Sequence, residues 1–162
     1  AEYDTIAAVK AAVRVPVVAN GDIDSPRKAE QVLAQTGADA IMVGRAAQGR
    51  PWIFREIGHY LQRGTFLAPP LVAEVQRLLL EHLQDHYQLY GEAVGVRSAR
   101  KHIGWYVHDL PGGQAFRARM NAIDNTQAQW EAVAGYFNEL GQCMDRLPDP
   151  EIKRQTCSET LS

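Results

Sequence analysis

Apolar residues recur at helical spacing from the first turn of the chain. Ile6, Val9 and Val13, with Ala7, Ala8, Ala11 and Ala12 between them, predict a helix over 1–14. The period then changes. Val15-Pro-Val-Val-Ala19 is a short run rich in β-branched residues and reads as a buried strand, followed by a turn at Asn20-Gly-Asp-Ile23. Ser25-Pro26 is an N-cap with proline at the first helical position. The helix it opens carries Ala29, Val32 and Leu33 on one face and stops at Gly37. Ala40-Ile-Met-Val43 predicts a second buried strand, Gly44 to Gly49 a loop, and Pro51 to Gly64 a helix with Trp52, Ile53, Ile57, Tyr60 and Leu61 on its apolar side. Helix, strand, helix, strand, helix implies a parallel sheet with right-handed crossovers. Two strands alone would leave polar edges on both sides. The first helix also opens in mid-pattern without Met, so the expectation is a piece of a longer protein with further strands upstream.

After a linker at 65–70 the period is helical throughout. Val72, Val75, Leu79, Leu83 and Tyr87 form one stripe, ended by Gly91. Further helices are predicted at about 93–107, 114–123, and from the Asn125-Thr126 cap to Gly141. Four helices with short loops predict a small bundle over 71–141. Residues 142–162, polar and containing Pro148 and Pro150, are expected to be a mobile tail.

Composition agrees with a globular chain: 46% of the 162 residues are hydrophobic and 22% charged, too apolar for a disordered segment. The formal net charge of −2 excludes a chain that is basic overall, though not a local basic patch. The two cysteines, Cys143 and Cys157, do not make a disulfide framework, and a reducing cytoplasm is the simpler reading. No uncharged run is long enough to span a membrane, and no signal-peptide pattern opens the sequence.

Both predicted strands end in glycine-containing loops. Without a Cβ, the backbone at Gly21 and Gly44 can come close enough for N–H groups to bond phosphate oxygens, with Arg45 adding a cation. A phosphate cradle and a pair of plain tight turns are both open readings of these glycines. In (β/α)8 barrels, the loops after the last two strands often hold a phosphate. No Gly-x-Gly-x-x-Gly or Walker motif occurs in either loop.

Three motifs, Pro16-Val-Val-Ala-Asn-Gly-Asp-Ile23, Thr36-Gly-Ala-Asp-Ala40 and Met42-Val-Gly-Arg-Ala-Ala-Gln-Gly-Arg-Pro-Trp-Ile-Phe54, together with Arg97-Ser-Ala-Arg-Lys-His-Ile-Gly-Trp-Tyr106, make the sequence resemble tRNA-dihydrouridine synthases, most closely the bacterial B-type enzymes. The resemblance covers about residues 1–140. It implies α/β plus all-α architecture: 1–64 as the last two βα units of an FMN-binding TIM (β/α)8 barrel, then a helical tRNA-binding domain at 71–141. It implies NADPH-driven reduction of a tRNA uridine to dihydrouridine on FMN. Asn20, Gly21 and Asp22 match the first FMN-contacting loop, and Gly44 and Arg45 the second, at the FMN phosphate. The family's flavin-contacting lysine and catalytic cysteine belong to earlier strands, so no catalytic residue is expected in this piece, and Cys143 and Cys157 do not match that acid.

Between Arg97 and Arg119 lie five basic residues and one acid, Asp109, a local charge of +4. Arg97 and Lys101 share a helical face, with Arg100 beside them. A solvated helix face is the bland reading; the resemblance turns it toward tRNA phosphate contact. Arg50 and Arg55 are candidates to line a cleft between barrel and bundle. Trp105 and Tyr106 at helical spacing read as core before they read as a base-stacking platform. His82 and His86 have the i, i+4 spacing of two zinc ligands, but no third ligand is evident and no metal is expected. Two other functions remain open: a phosphate-binding barrel oxidoreductase of a small metabolite, for which the basic cluster has no use, and a non-catalytic RNA-binding helical module, for which the glycine loops have none.

Overall fold

The computed structural model describes residues 1–149. Cys157 and the end of the predicted tail lie outside the described residues. The chain divides between Leu67 and Ala68 into two compact units.

The first unit runs α1 (Tyr3–Ala12), β1 (Val18–Asn20), α2 (Pro26–Thr36), β2 (Ala40–Met42), a 3-10 turn (Arg45–Ala47) and α3 (Ile53–Arg63). β1 and β2 are parallel, with Val18 opposite Ala40 and Asn20 opposite Met42. The first strand is shorter than predicted. Pro16 has no N–H to give a ladder, so pairing begins after it. Val17 instead donates its N–H to Asp39 Oδ2 at 2.7 Å. Helix punctuation follows the sequence: Ser25 accepts from the Lys28 N–H at the start of α2, and Gly37 and Gly64 close α2 and α3 in the left-handed conformation.

Ala19, Ile23, Ala29, Val32, Ile53 and Ile57 form the core of this unit, with Tyr3 joining from α1. The expectation of strands buried on both faces is corrected. Ala19 is fully buried, but Val18 is 56% and Met42 51% exposed. Successive strand residues face opposite ways, and among the described residues of this unit helices cover one face only.

The second unit runs α4 (Val72–Val107), α5 (Gly113–Arg119), a 3-10 turn (Met120–Ala122) and α6 (Thr126–Cys143). As the sequence predicts, α4 is two helical limbs, 72–90 and 92–107, separated by a non-helical Gly91 (φ 71°, ψ 178°). Only glycine takes that conformation without strain. The limbs fold back on each other: His86 on the first reaches Ser98 on the second at 2.7 Å. Val75, Leu79, Leu83, Val96, Ile103, Phe116, Val133 and Phe137 fill the core. α5 is tied in by close approach. Gly113 sits so near the Val107 carbonyl that a Cβ there would overlap its oxygen.

The described start of the predicted tail is engaged. Leu71 and Arg146 form an antiparallel bridge, Val72 donates its N–H to the Asp145 carbonyl at 2.9 Å, and Leu147 donates to Pro70 at 3.0 Å. The Val72 N–H, one of the donors orphaned at the start of α4, is satisfied this way. Among the described residues no helix is long and apolar enough to cross a membrane.

Candidate functional site

In a parallel pair both strands deliver their following loops to the same edge. Here they deliver Gly21–Asp24 and Gly44–Gly49. The first loop is pinned by the Tyr3 hydroxyl, which donates to the Gly21 carbonyl at 2.7 Å. Gly21 has φ 142°, and a Cβ there would overlap Ala1; Asp22 follows at φ 47°. Asp tolerates the left-handed region better than most side chains. Arg45 Nη2 donates to Asp22 Oδ1 at 3.0 Å, bridging the two loops.

A cleft of about 590 Å³ is lined by all five residues assigned to the cofactor from sequence, Asn20, Gly21, Asp22, Gly44 and Arg45, together with Ile23, Asp24 and Ala46. A Cβ added to Gly44 would meet nothing within 4 Å, so its backbone faces open space. Arg45 is largely exposed and spends one of its guanidinium donors on Asp22. This set fits an anionic phosphate: bare backbone, one cation with donors to spare, and a neighbouring carboxylate already countered by that cation.

Arg50 is placed otherwise than expected. Its Nη2 lies 2.6 Å from Glu56 Oε2, with both side chains mostly buried. Its Nη1 reaches the Asp24 carbonyl at 3.4 Å, and its buried Nε has no partner among the described residues. Arg50 braces the first loop against α3 and does not stand out toward a polyanion. The spacing of Arg50 and Glu56 could have signalled the pair, but not its burial.

In the second unit the basic cluster separates into two kinds of residue. Arg97 and Lys101 are exposed on one face of α4. The Lys101 ammonium lies 4.8 Å from the Trp105 ring centroid, a cation–π contact that leaves it at the surface. Arg100 turns inward instead. It donates to the Ile123 carbonyl at 2.9 Å, and its buried Nε has no partner among the described residues. Arg100 is thus a tie between α4 and the segment before α6. Tyr106 is core, with its phenol pushed up by burial, and Trp105 is half-buried.

Two features escaped the sequence reading. Gln129 is fully buried, accepts from the Tyr87 hydroxyl at 2.7 Å and donates to the Val96 carbonyl at 3.2 Å. Burial pushes the Tyr87 phenol up to about 12. And His102, 20 positions from His82, lies beside it and His86. Burial, then the neighbouring His82, lowers the His86 and His102 imidazoles, favouring their neutral forms.

A sequence model of the family described as "Dihydrouridine synthase (Dus)" matches residues 1–140. The chain is 57% identical over 145 residues to a tRNA-dihydrouridine synthase B of Pseudomonas putida, covering 90% of this chain and 43% of that protein. To proteins of the same name it is 58% identical over 139 residues in Pseudomonas aeruginosa (86% and 42% covered) and 58% over 142 in Shewanella oneidensis (88% and 44%). It spans less than half the length of these curated relatives. With that match running through both glycine loops and the basic helix, the chain belongs to the dihydrouridine synthase family.

Proposed function

We propose that this chain is the part of a tRNA-dihydrouridine synthase that anchors the phosphate of FMN and contributes to the grip on tRNA. Its first unit would be the end of a TIM barrel, and the whole protein would reduce a tRNA uridine to 5,6-dihydrouridine with NADPH as electron source. The observation that carries this reading is the meeting of Asn20, Gly21, Asp22, Gly44 and Arg45 around one cleft. FMN, when bound, supplies the hydride chemistry; the protein's task is to hold and orient it.

The roles of this chain's own groups follow from their positions. The open backbone at Gly44 gives phosphate oxygens room to approach N–H groups. Arg45 supplies the positive charge and is kept over the cleft by Asp22. Arg50, held by Glu56, fixes the first loop through the Asp24 carbonyl. Arg97 and Lys101 present two cations one helical turn apart, suited to neighbouring phosphates of a nucleic-acid backbone. The names of the relatives and this exposed pair favour tRNA over a small metabolite as substrate. No residue here is assigned the proton donation to uracil.

The test is a chimera in which residues 1–140 replace the matching segment of the Pseudomonas aeruginosa relative. Expressed in a strain lacking its own B-type enzyme, it is expected to restore dihydrouridine in tRNA. A folded chimera that retains flavin but leaves tRNA unmodified would overturn the substrate assignment; a folded chimera that retains no flavin would overturn the phosphate site.

A further inference from the structure

The bend at Gly91 does more than reverse a helix. A straight helix would separate His82 from His102 by about 30 Å. Folded back, their rings lie 4.9 Å apart centroid to centroid, and His86 and His102 lie 5.1 Å apart. One ring nitrogen from each of His82, His86 and His102 falls within 4.8 Å of the other two. We propose that these three histidines form a binding site for a divalent transition metal of the zinc class, in the helical unit and built independently of the glycine-loop cleft.

The chemistry supports that ligand class. Imidazole nitrogen suits zinc and its borderline neighbours, whereas calcium and magnesium demand oxygen. Nitrogens around a tetrahedral zinc lie about 3.4 Å apart, from bonds of about 2.0–2.1 Å. The ring nitrogens, within 4.8 Å of one another, stand wider than that value, so the rings must turn inward to close on an ion. His82 and His86 are one turn apart on the same face, and His102 completes a triangle from the other limb. Three protein ligands leave a fourth position for water, the arrangement of an open site.

The surroundings fit as well. The Ser98 hydroxyl has a single proton, which it gives to the Val94 carbonyl at 2.7 Å. His86 Nε2 lies 2.7 Å from that hydroxyl, a contact that orients the ring and leaves Nδ1 facing no hydrogen-bond partner among the described residues. An outer partner that orients the ring is characteristic of metal-bound histidine. Neither His82 nor His102 has a hydrogen-bond partner among the described residues, so their lone pairs are available. Tyr90 and Trp105, at 4.6 Å from His86 and 5.1 Å from His102, wall the cluster with aromatic surface. Lys101 is the opposing feature. Its positive charge reaches His102, and its hold on the Trp105 ring keeps it beside the cluster rather than in it.

The experiment uses the full chain, stripped of metal with a chelator and titrated with Zn²⁺ against a chromophoric competitor. One zinc per chain is expected, with His82→Gln and His102→Gln each weakening binding by more than about 100-fold, since losing a ligand costs at least as much as losing its outer partner. His59→Gln and His108→Gln should bind as the unmodified chain does. Because a variant could unfold, Co²⁺ is added to the unmodified chain as a second measurement, where the visible absorption of a tetrahedral nitrogen-ligated ion is expected. Sub-stoichiometric zinc, binding indifferent to His82→Gln and His102→Gln in folded variants, or a Co²⁺ spectrum of the hydrated ion would each overturn the site.

Discussion

The two units solve the same problem of stability with different means. The helical unit hides its polar groups: Gln129 and Tyr87 bond inside the core, and Arg100 is drawn inward to a carbonyl. The α/β unit keeps its polar groups at the surface of a cleft, where Asp22 and Arg45 pair in the open, and it leaves one face of a two-stranded sheet uncovered among its own described residues. One unit is built around a closed core. The other is built around a loop edge, with its buried Arg50–Glu56 pair as the brace. Substitutions should therefore cost folding in the first and binding in the second, with that brace as the informative exception.

The largest expected effect is Gly113→Ala. A methyl group would overlap the Val107 carbonyl oxygen, and because backbone cannot yield as a side chain does, the loss should reach about 3 kcal/mol or more. Denaturant unfolding of the full chain measures it. Next comes Glu56→Ala. Removing one partner of a mostly buried ion pair strands the other charge, at a cost of about 3 kcal/mol; Arg50→Met with Glu56→Leu should recover much of it. A double variant as unstable as the single would show that the pair is not the brace.

Tyr87→Phe ranks third, at about 1–3 kcal/mol, because it leaves the buried Gln129 Oε1 without its donor. It carries a signature in pH. The Tyr87 phenol is raised to about 12 in the fold, against about 10 unfolded. Its contribution is thus full below pH 10 and is lost as pH climbs toward 12. The variant should show a flatter fall of stability over that range than the unmodified chain. The smallest effects belong to the helix caps. Ser25→Ala and Asn125→Ala each remove an oxygen that accepts a backbone N–H and should cost about 1 kcal/mol apiece. A difference between the two larger than their mean would mean that one cap does more than satisfy an amide.

What the sequence made legible is local. Ser25, Gly37, Gly64 and Asn125 mark helix ends by the chemistry of their own backbone neighbours, and all four do so in the structure. Of the five cleft residues, Gly21, Gly44 and Arg45 were readable because two short loops follow two parallel strands, which fixes where both emerge; Asn20 and Asp22 came from the family resemblance. What stayed hidden depends on separations that no local period encodes. Arg50 and Arg100 look like surface charge in a string of letters; only packing shows that each has a carbonyl or carboxylate to turn toward. Gln129 sits at a position polar enough to be read as surface. His102 could be added to His82 and His86 only once the bend at Gly91 was known to fold one limb onto the other.

The central claim is a division of labour between the units, and one crossed measurement tests it. In the chimera, Gly44→Val fills the open space before the loop backbone, while Arg97→Ala with Lys101→Ala removes the exposed cations. Flavin retention and tRNA affinity are measured for both at one fixed salt concentration. Gly44→Val is predicted to lose flavin and keep tRNA affinity, and the double variant to keep flavin and weaken tRNA binding by about 10-fold. Loss of both properties together in either folded variant would contradict the account.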